Sequence, residues 1–145
     1  MSLLALLSVP ASGMAAQRAR TEVLVENLAN SETTRTPDGG PYRRKDVVFT
    51  TSPQTSAFSS EFQRALGPHV DGVAVTEVVL DAREPTKRFV PGHPDAGKDG
   101  YVSFPNVNPA EDMVDLMSAS RGFQSNVSAV VAIKDMIQRS LELLK

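Results

Sequence analysis

NPAEDMVDLMSASRGFQSNVSAVVAIKDMIQRSLELLK, residues 108–145, repeats more cleanly than any other stretch of the chain. From Met113, the positions Leu116, Ser120, Phe123, Val127, Val130, Lys134, Ile137, Leu141 and Leu144 step by three and four without a break, and only Ser120 and Lys134 are not apolar. A seam at period 3.5 is what helices need to stay in register along a supercoil, because each apolar knob must face its partner every second turn. The start is equally marked. Asn108 can cap, Pro109 suits a first position that needs no N–H, and Glu111 stands where a capping box puts its carboxylate. No proline follows, and Gly122 costs only about 1 kcal/mol in a helix interior. The spacing therefore predicts one helix from Pro109 to the C-terminus, roughly 50 Å long, that seeks a partner helix.

A candidate partner lies at the other end of the chain. From Ser12, a possible cap, to Asn30 there is no proline, and Ala16, Ala19 and Val23 form a narrow apolar stripe at helical spacing with Leu24 and Leu28 alongside. An alanine-rich stripe allows close approach but buries little area, so this helix too needs a neighbour. Before it, Leu3, Leu4, Leu6, Leu7 and Val9 could pass for the apolar part of a signal peptide. The first basic side chain is Arg18, however, beyond the run, where a leader would need one in front. The run is also far short of the roughly 20 residues that span a bilayer, and it is read as an apolar surface awaiting a protein partner.

Nearly all of the 10 prolines and 9 glycines fall between these two helices, within 37–109. Thr36-Pro37-Asp38-Gly39 has the residues of a type I turn. Asp46–Thr51, Val73–Leu80, Arg88–Val90 and Tyr101–Phe104 read as short strands, enough for a small sheet or two hairpins. Thr50–Ser60 reads as an exposed loop, and Ser60–Leu66 as one helical turn. The expected fold class is α+β: long N- and C-terminal helices that each need a partner helix, with a small β-rich middle, divided as 1–34, 35–107 and 108–145.

Composition narrows the function. A net charge of −2 over 145 residues gives no long-range pull toward nucleic acid. With no cysteine there is no disulfide framework, thiolate nucleophile or cysteine-bound zinc. Few aromatics and no tryptophan leave little to line a ligand pocket. Gly92-His93-Pro94-Asp95-Ala96-Gly97-Lys98 has the spacing of a phosphate-binding loop, but Asp99 stands where serine or threonine belongs, Pro94 removes an amide, and a strand follows instead of a helix. The pairs His69/Asp71 and His93/Asp95 lie in turns without the spacing that fixes metal geometry. Neither histidine has a hydrolase signature beside it. No catalytic, cofactor or metal site is expected, and no nucleic acid or small-molecule substrate. Arg43-Arg44-Lys45 after Tyr42 is the one basic cluster, and clustered arginine with tyrosine suits a protein interface.

Asn27-Leu28-Ala29-Asn30, Thr33-Thr34-Arg35-Thr36 and Gly39-Gly40-Pro41-Tyr42-Arg43-Arg44-Lys45, continued by Pro91-Gly92-His93-Pro94-Asp95-Ala96, Gly100-Tyr101-Val102, Pro105-Asn106-Val107-Asn108 and Ala119-Ser120-Arg121, resemble the bacterial flagellar axial proteins, and among them the proximal rod subunits. The resemblance implies a non-enzymatic rod subunit of the drive shaft that crosses the periplasm to the hook. It implies export through the flagellar type III apparatus without signal cleavage, and two terminal helices that pack as an antiparallel coiled coil lining the inner tube. Implied partners are copies of the chain, other rod subunits, the membrane-ring adaptor and the export gate. The expected assembly residues are Asn27, Leu28, Asn30, Thr33, Thr34, Arg35, Tyr42, Arg43, Arg44 and Lys45, with Met113, Leu116, Phe123, Val127, Val130, Ile137, Leu141 and Leu144 of the seam. The basic cluster is expected to meet Glu111, Asp112 or Asp115 of an adjacent subunit, and the Asn27 and Asn30 amides a neighbouring helix. A soluble coiled-coil adaptor that binds one partner helix is the alternative from a different class.

Overall fold

A computed structural model describes residues 3–53 and 71–142. The element order is α1 (Leu3–Ala29), β1 (Lys45–Pro53), β2 (Asp71–Leu80), β3 (Thr86–Phe89), β4 (Tyr101–Phe104) and α2 (Pro109–Glu142), which makes the chain α+β. β1 pairs with β2 and β3 with β4, both antiparallel, as two separate two-stranded sheets. The expected loop Thr50–Ser60 is strand as far as Pro53; its remainder and the expected turn Ser60–Leu66 lie outside the described residues.

The first helix starts earlier than its sequence implies, with Pro10 inside it. An interior proline normally costs about 3 kcal/mol, but here Pro10 is buried, and packing holds the turn helical. Ser12 is consequently no cap. Its hydroxyl donates to Val9 O at 2.7 Å and accepts from Val73 N at 3.0 Å, which ties the helix to β2. The second helix starts where expected, with Asn108 Oδ1 accepting from Ala110 N at 3.2 Å. Among the described residues, no helix is long and apolar enough to cross a membrane.

α1 packs on α2, and the β1–β2 ribbon packs on α1. At the helix contact the backbones come close. A Cβ on Gly13 would meet Asn126 Oδ1 at 2.8 Å, and one on Gly122 would meet Gln17 Cδ at 3.2 Å. Arg20 Nη2 reaches Asp115 Oδ1 at 3.1 Å. The face of α2 with the least exposure is Asp112, Asp115, Leu116, Ala119, Gly122, Asn126, Val130, Ile133 and Ile137, again at three- and four-residue steps. It overlaps the apolar seam at Leu116, Val130 and Ile137 only. Met113, Phe123, Val127 and Leu141 stay exposed. Ala119 and Gly122 within this face admit α1 closely, while the larger Leu116, Val130, Ile133 and Ile137 lie to either side along the helix.

The ribbon carries a bulge between Val48 and Phe49, where Thr76 is the extra residue on β2; this sharpens the local twist. Val102 and Phe104 of β4 are buried, while β3 is exposed along its length. Ala119 is 1% exposed at the helix contact, so Ala119→Leu should overpack it and cost about 1–3 kcal/mol. A thermal melt measures the loss, and an unchanged midpoint would show that the two helices are not held at close approach.

Candidate assembly joint

Asn27 sits in the last turns of α1 and is completely buried. A buried carboxamide must use both ends, and this one does. Its Nδ2 donates to Lys45 O at 2.8 Å, while its Oδ1 accepts from Lys45 N at 2.9 Å and from Tyr42 Oη at 2.9 Å. One side chain thus holds both backbone groups of the first β1 residue and the phenol that closes over it. Burial, then the nearby Glu26 and Asp112 charges, pushes the Tyr42 hydroxyl up to about 12, so it remains a donor at every physiological pH.

The segment between α1 and β1 is folded tightly enough to deliver those residues. Asn30 Nδ2 donates to Glu26 O at 3.0 Å and its Oδ1 accepts from Thr33 Oγ1 at 3.1 Å. Gly39 N donates to Thr36 O at 3.0 Å and Thr36 N to Gly40 O at 2.9 Å. Gly39 and Gly40 hold φ of +85° and +81°, values that side chains disfavour. Tyr42 N then reaches Thr33 O at 3.0 Å. The β3–β4 connection docks on the same segment: Asp95 accepts from Thr34 Oγ1 at 2.8 Å and pairs with Arg35 at 3.6 Å.

The basic cluster divides three ways. Arg43 is exposed and makes no ion pair among the described residues. Lys45 Nζ pairs with Glu26 Oε1. Arg44 turns inward, with Nη2 3.0 Å from Asp112 Oδ1 and 4.0 Å from Asp115 Oδ2, and Nε 3.5 Å from Asp46 Oδ1. Asp112 is completely buried, and among the described residues neither of its oxygens gains a hydrogen bond of good geometry. Desolvation therefore holds its carboxyl above the usual aspartate range against the pull of Arg44.

These contacts correct two expectations about partners. Arg44 takes Asp112 and Lys45 takes Glu26 of the same chain, and the Asn27 and Asn30 amides are spent inside it. Sequence reasoning missed Asp95 and Glu26 as partners, and no periodicity points to either. Of the remaining expected residues, Leu28 is half-buried, Arg43 faces solvent, and Leu144 lies outside the described residues. His69 also lies outside them. His93 Nδ1 accepts from Asp95 N at 3.1 Å, and in the same loop Gly97 N and Gly100 N donate to Tyr101 O and Gly97 O. Among the described residues, no three His, Cys, Asp or Glu side chains gather as for a metal.

Residues 98–143 match the family model described as flagellar basal body rod FlgEFG protein C-terminal. The flagellar basal-body rod protein FlgC of Borreliella burgdorferi is 36% identical over 100% of this chain and 99% of its own. The chain belongs to the FlgC family. Relatives of the same name from Bacillus subtilis, covering 96% of each chain, and from Salmonella typhimurium, covering 99% of this chain and 98% of their own, are each 38% identical. In this FlgC-family chain the joined elements are the two terminal helices and the segments that lead into and out of the β-rich middle.

Two outcomes follow. Asn27→Ala strands Lys45 N, Lys45 O and the Tyr42 hydroxyl; at about 1–3 kcal/mol for a buried group left unpaired, the loss should be on the order of 3 kcal/mol in urea denaturation. Arg44→Leu leaves the Asp112 charge buried alone, a cost of about 3–5 kcal/mol at neutral pH. Because the Asp112 pKa is raised in the folded chain, protonation favours folding. That stabilisation is complete below the unfolded value of 3.8 and is lost as pH rises through the raised one. The Arg44→Leu deficit should therefore shrink toward pH 4. A pH-independent deficit would exclude Asp112 as its cause.

Proposed function

We propose that this chain is a structural subunit of the rod of the flagellar basal body, not an enzyme, and that copies polymerise through their terminal helices into a shaft that passes torque to hook and filament. Full-length similarity to proteins named for that rod supports the reading. The observation that carries it is the second face of α2. At 3.6 residues per turn, Met113, Met117, Phe123, Val127 and Val131 share a sector of about 120°, centred roughly 100° round the helix from the face on α1. They are 52%, 52%, 39%, 40% and 52% exposed. An apolar stripe that long on an isolated chain marks a protein contact.

In this reading α1 and α2 form an antiparallel coiled coil lining the inner tube, and the order of their contacts supports it: Gly13 lies at Asn126, Gln17 at Gly122 and Arg20 at Asp115. The division into 1–34, 35–107 and 108–145 gives a coiled-coil core with a β-rich outer part. Copies of the chain, other rod subunits, the membrane-ring adaptor and the export gate are its partners. The chain is exported without a cleaved signal and works where the rod crosses the periplasm. Asn27 to Lys45 sets the angle at which the middle leaves the core.

Phe123→Asp and Val127→Asp test the stripe. Each site is partly open in the single chain, so monomer stability should change by less than about 1 kcal/mol. In the assembly the new charge is buried without a partner, at a cost of several kcal/mol. Filament or ring formation and swimming should both be lost. A motile Phe123→Asp strain with normal rods would remove the stripe from the assembly.

A further inference from the structure

The hairpin of β3 and β4 has two unlike faces. Thr86, Arg88, Val102 and Phe104 share the inner one; Val102 and Phe104 are buried there, and the Arg88 guanidinium lies over the Phe104 ring at 4.8 Å. Lys87, Phe89, Tyr101 and Ser103 share the outer one. On it Phe89 is 63% and Tyr101 52% exposed, which makes Phe89 the most exposed large apolar side chain among the described residues.

This pair of rings is built, not merely left out. The rings meet edge to face with centroids 5.4 Å apart. Phe89 rests on Gly100, where φ is +74° and a Cβ would come within 2.7 Å of the ring. Val90 N donates to Gly100 O at 2.9 Å and Gly97 N to Tyr101 O at 3.0 Å, so the turns behind the rings are fixed. Two rigid aromatics on a surface have little ordering entropy left to lose on binding, as in a protein hot spot.

The chain carries a surface that complements them. On the first turns of α2, facing away from α1, Met113, Val114 and Met117 are 52%, 61% and 52% exposed. Flexible thioethers pack well against ring edges. Charges agree on both flanks. Lys87 and Lys98 of the hairpin can face exposed Glu111, and Asp99 can face exposed Arg121.

We propose that a second copy of this chain seats Glu111–Met117 of its α2 on the Phe89–Tyr101 pair. The inference rests on the reading of the chain as a polymerising subunit and names one of its contacts. Because the two patches differ, the contact is heterologous: each copy offers its hairpin to one neighbour and its helix start to another, so association propagates instead of closing.

The absence of cysteine makes the test clean. Chains carrying Tyr101→Cys are mixed with chains carrying Met113→Cys and mildly oxidised. A disulfide-linked dimer should form well above the yield of a control mixture of Tyr101→Cys with Ser128→Cys. Lys87→Glu in the first chain should lower the yield, and Glu111→Lys in the second should restore it. In parallel, the doubly substituted Phe89→Ala/Tyr101→Ala chain, checked for native circular dichroism, should need about tenfold more protein or greater to associate by half in sedimentation. A cross-link no better than the control, or association of the double variant at the wild-type concentration, overturns this contact and leaves the rod reading standing. A wild-type chain that stays monomeric at every concentration overturns both.

Discussion

Three hydrogen bonds from one buried amide hold this structure together. Asn27 takes the N–H and the C=O of Lys45 and the hydroxyl of Tyr42, so the end of α1, the start of β1 and the segment between them cannot move separately. Two oppositely directed backbone groups on one residue require a side chain with a donor and an acceptor at amide spacing. Aspartate lacks the donor, and glutamine is a methylene too long. From that fixed point Arg44 reaches inward to the first turn of α2, and Thr34 and Arg35 reach outward to Asp95. The helix pair and both sheets meet there.

α2 has two jobs on adjacent faces. The face on α1 sets small and polar residues among Leu116, Val130, Ile133 and Ile137, and Gly13 and Gly122 bring the backbones close. The neighbouring stripe is made of methionine, valine and phenylalanine. Separating the two lets one helix bind its own chain by close approach and still offer another an apolar stripe, broken by Ser120 and Gln124. A compact bundle would bury both. This chain buries the one and leaves the other open, as a subunit that must associate requires.

Much of this was legible in the sequence. The 3.5 period gave the long C-terminal helix, and Asn108 with Pro109 gave its start. The β-branched runs gave four strands within a few residues. Which face of α2 meets α1 was not legible, because two adjacent faces share the same three- and four-residue steps, and hydrophobicity marks the residues that seek burial without naming their partner. Ala119 and Gly122 carry the close approach, yet from sequence Gly122 marks only a small helix cost. The start of α1 was not legible at Ser12, because local propensity carries no information about the packing that buries Pro10. Of the basic cluster only Arg44 meets the acidic helix start, and it does so within one chain; spacing alone cannot distinguish a partner in the same chain from one in the next. Asp112 and Arg44 meet only after the whole middle has folded between them.

In the proposed assembly the outer stripe of α2, open in the single chain, is covered by a neighbour. Hydroxyl-radical footprinting of monomer against assembled rods measures this at side-chain level. Labelling of Phe123, Val127 and Val131 should fall sharply on assembly, while exposed Glu77 and Arg83, away from the stripe, keep most of theirs. Equal labelling of the stripe in both states would place it outside the contacts of the rod.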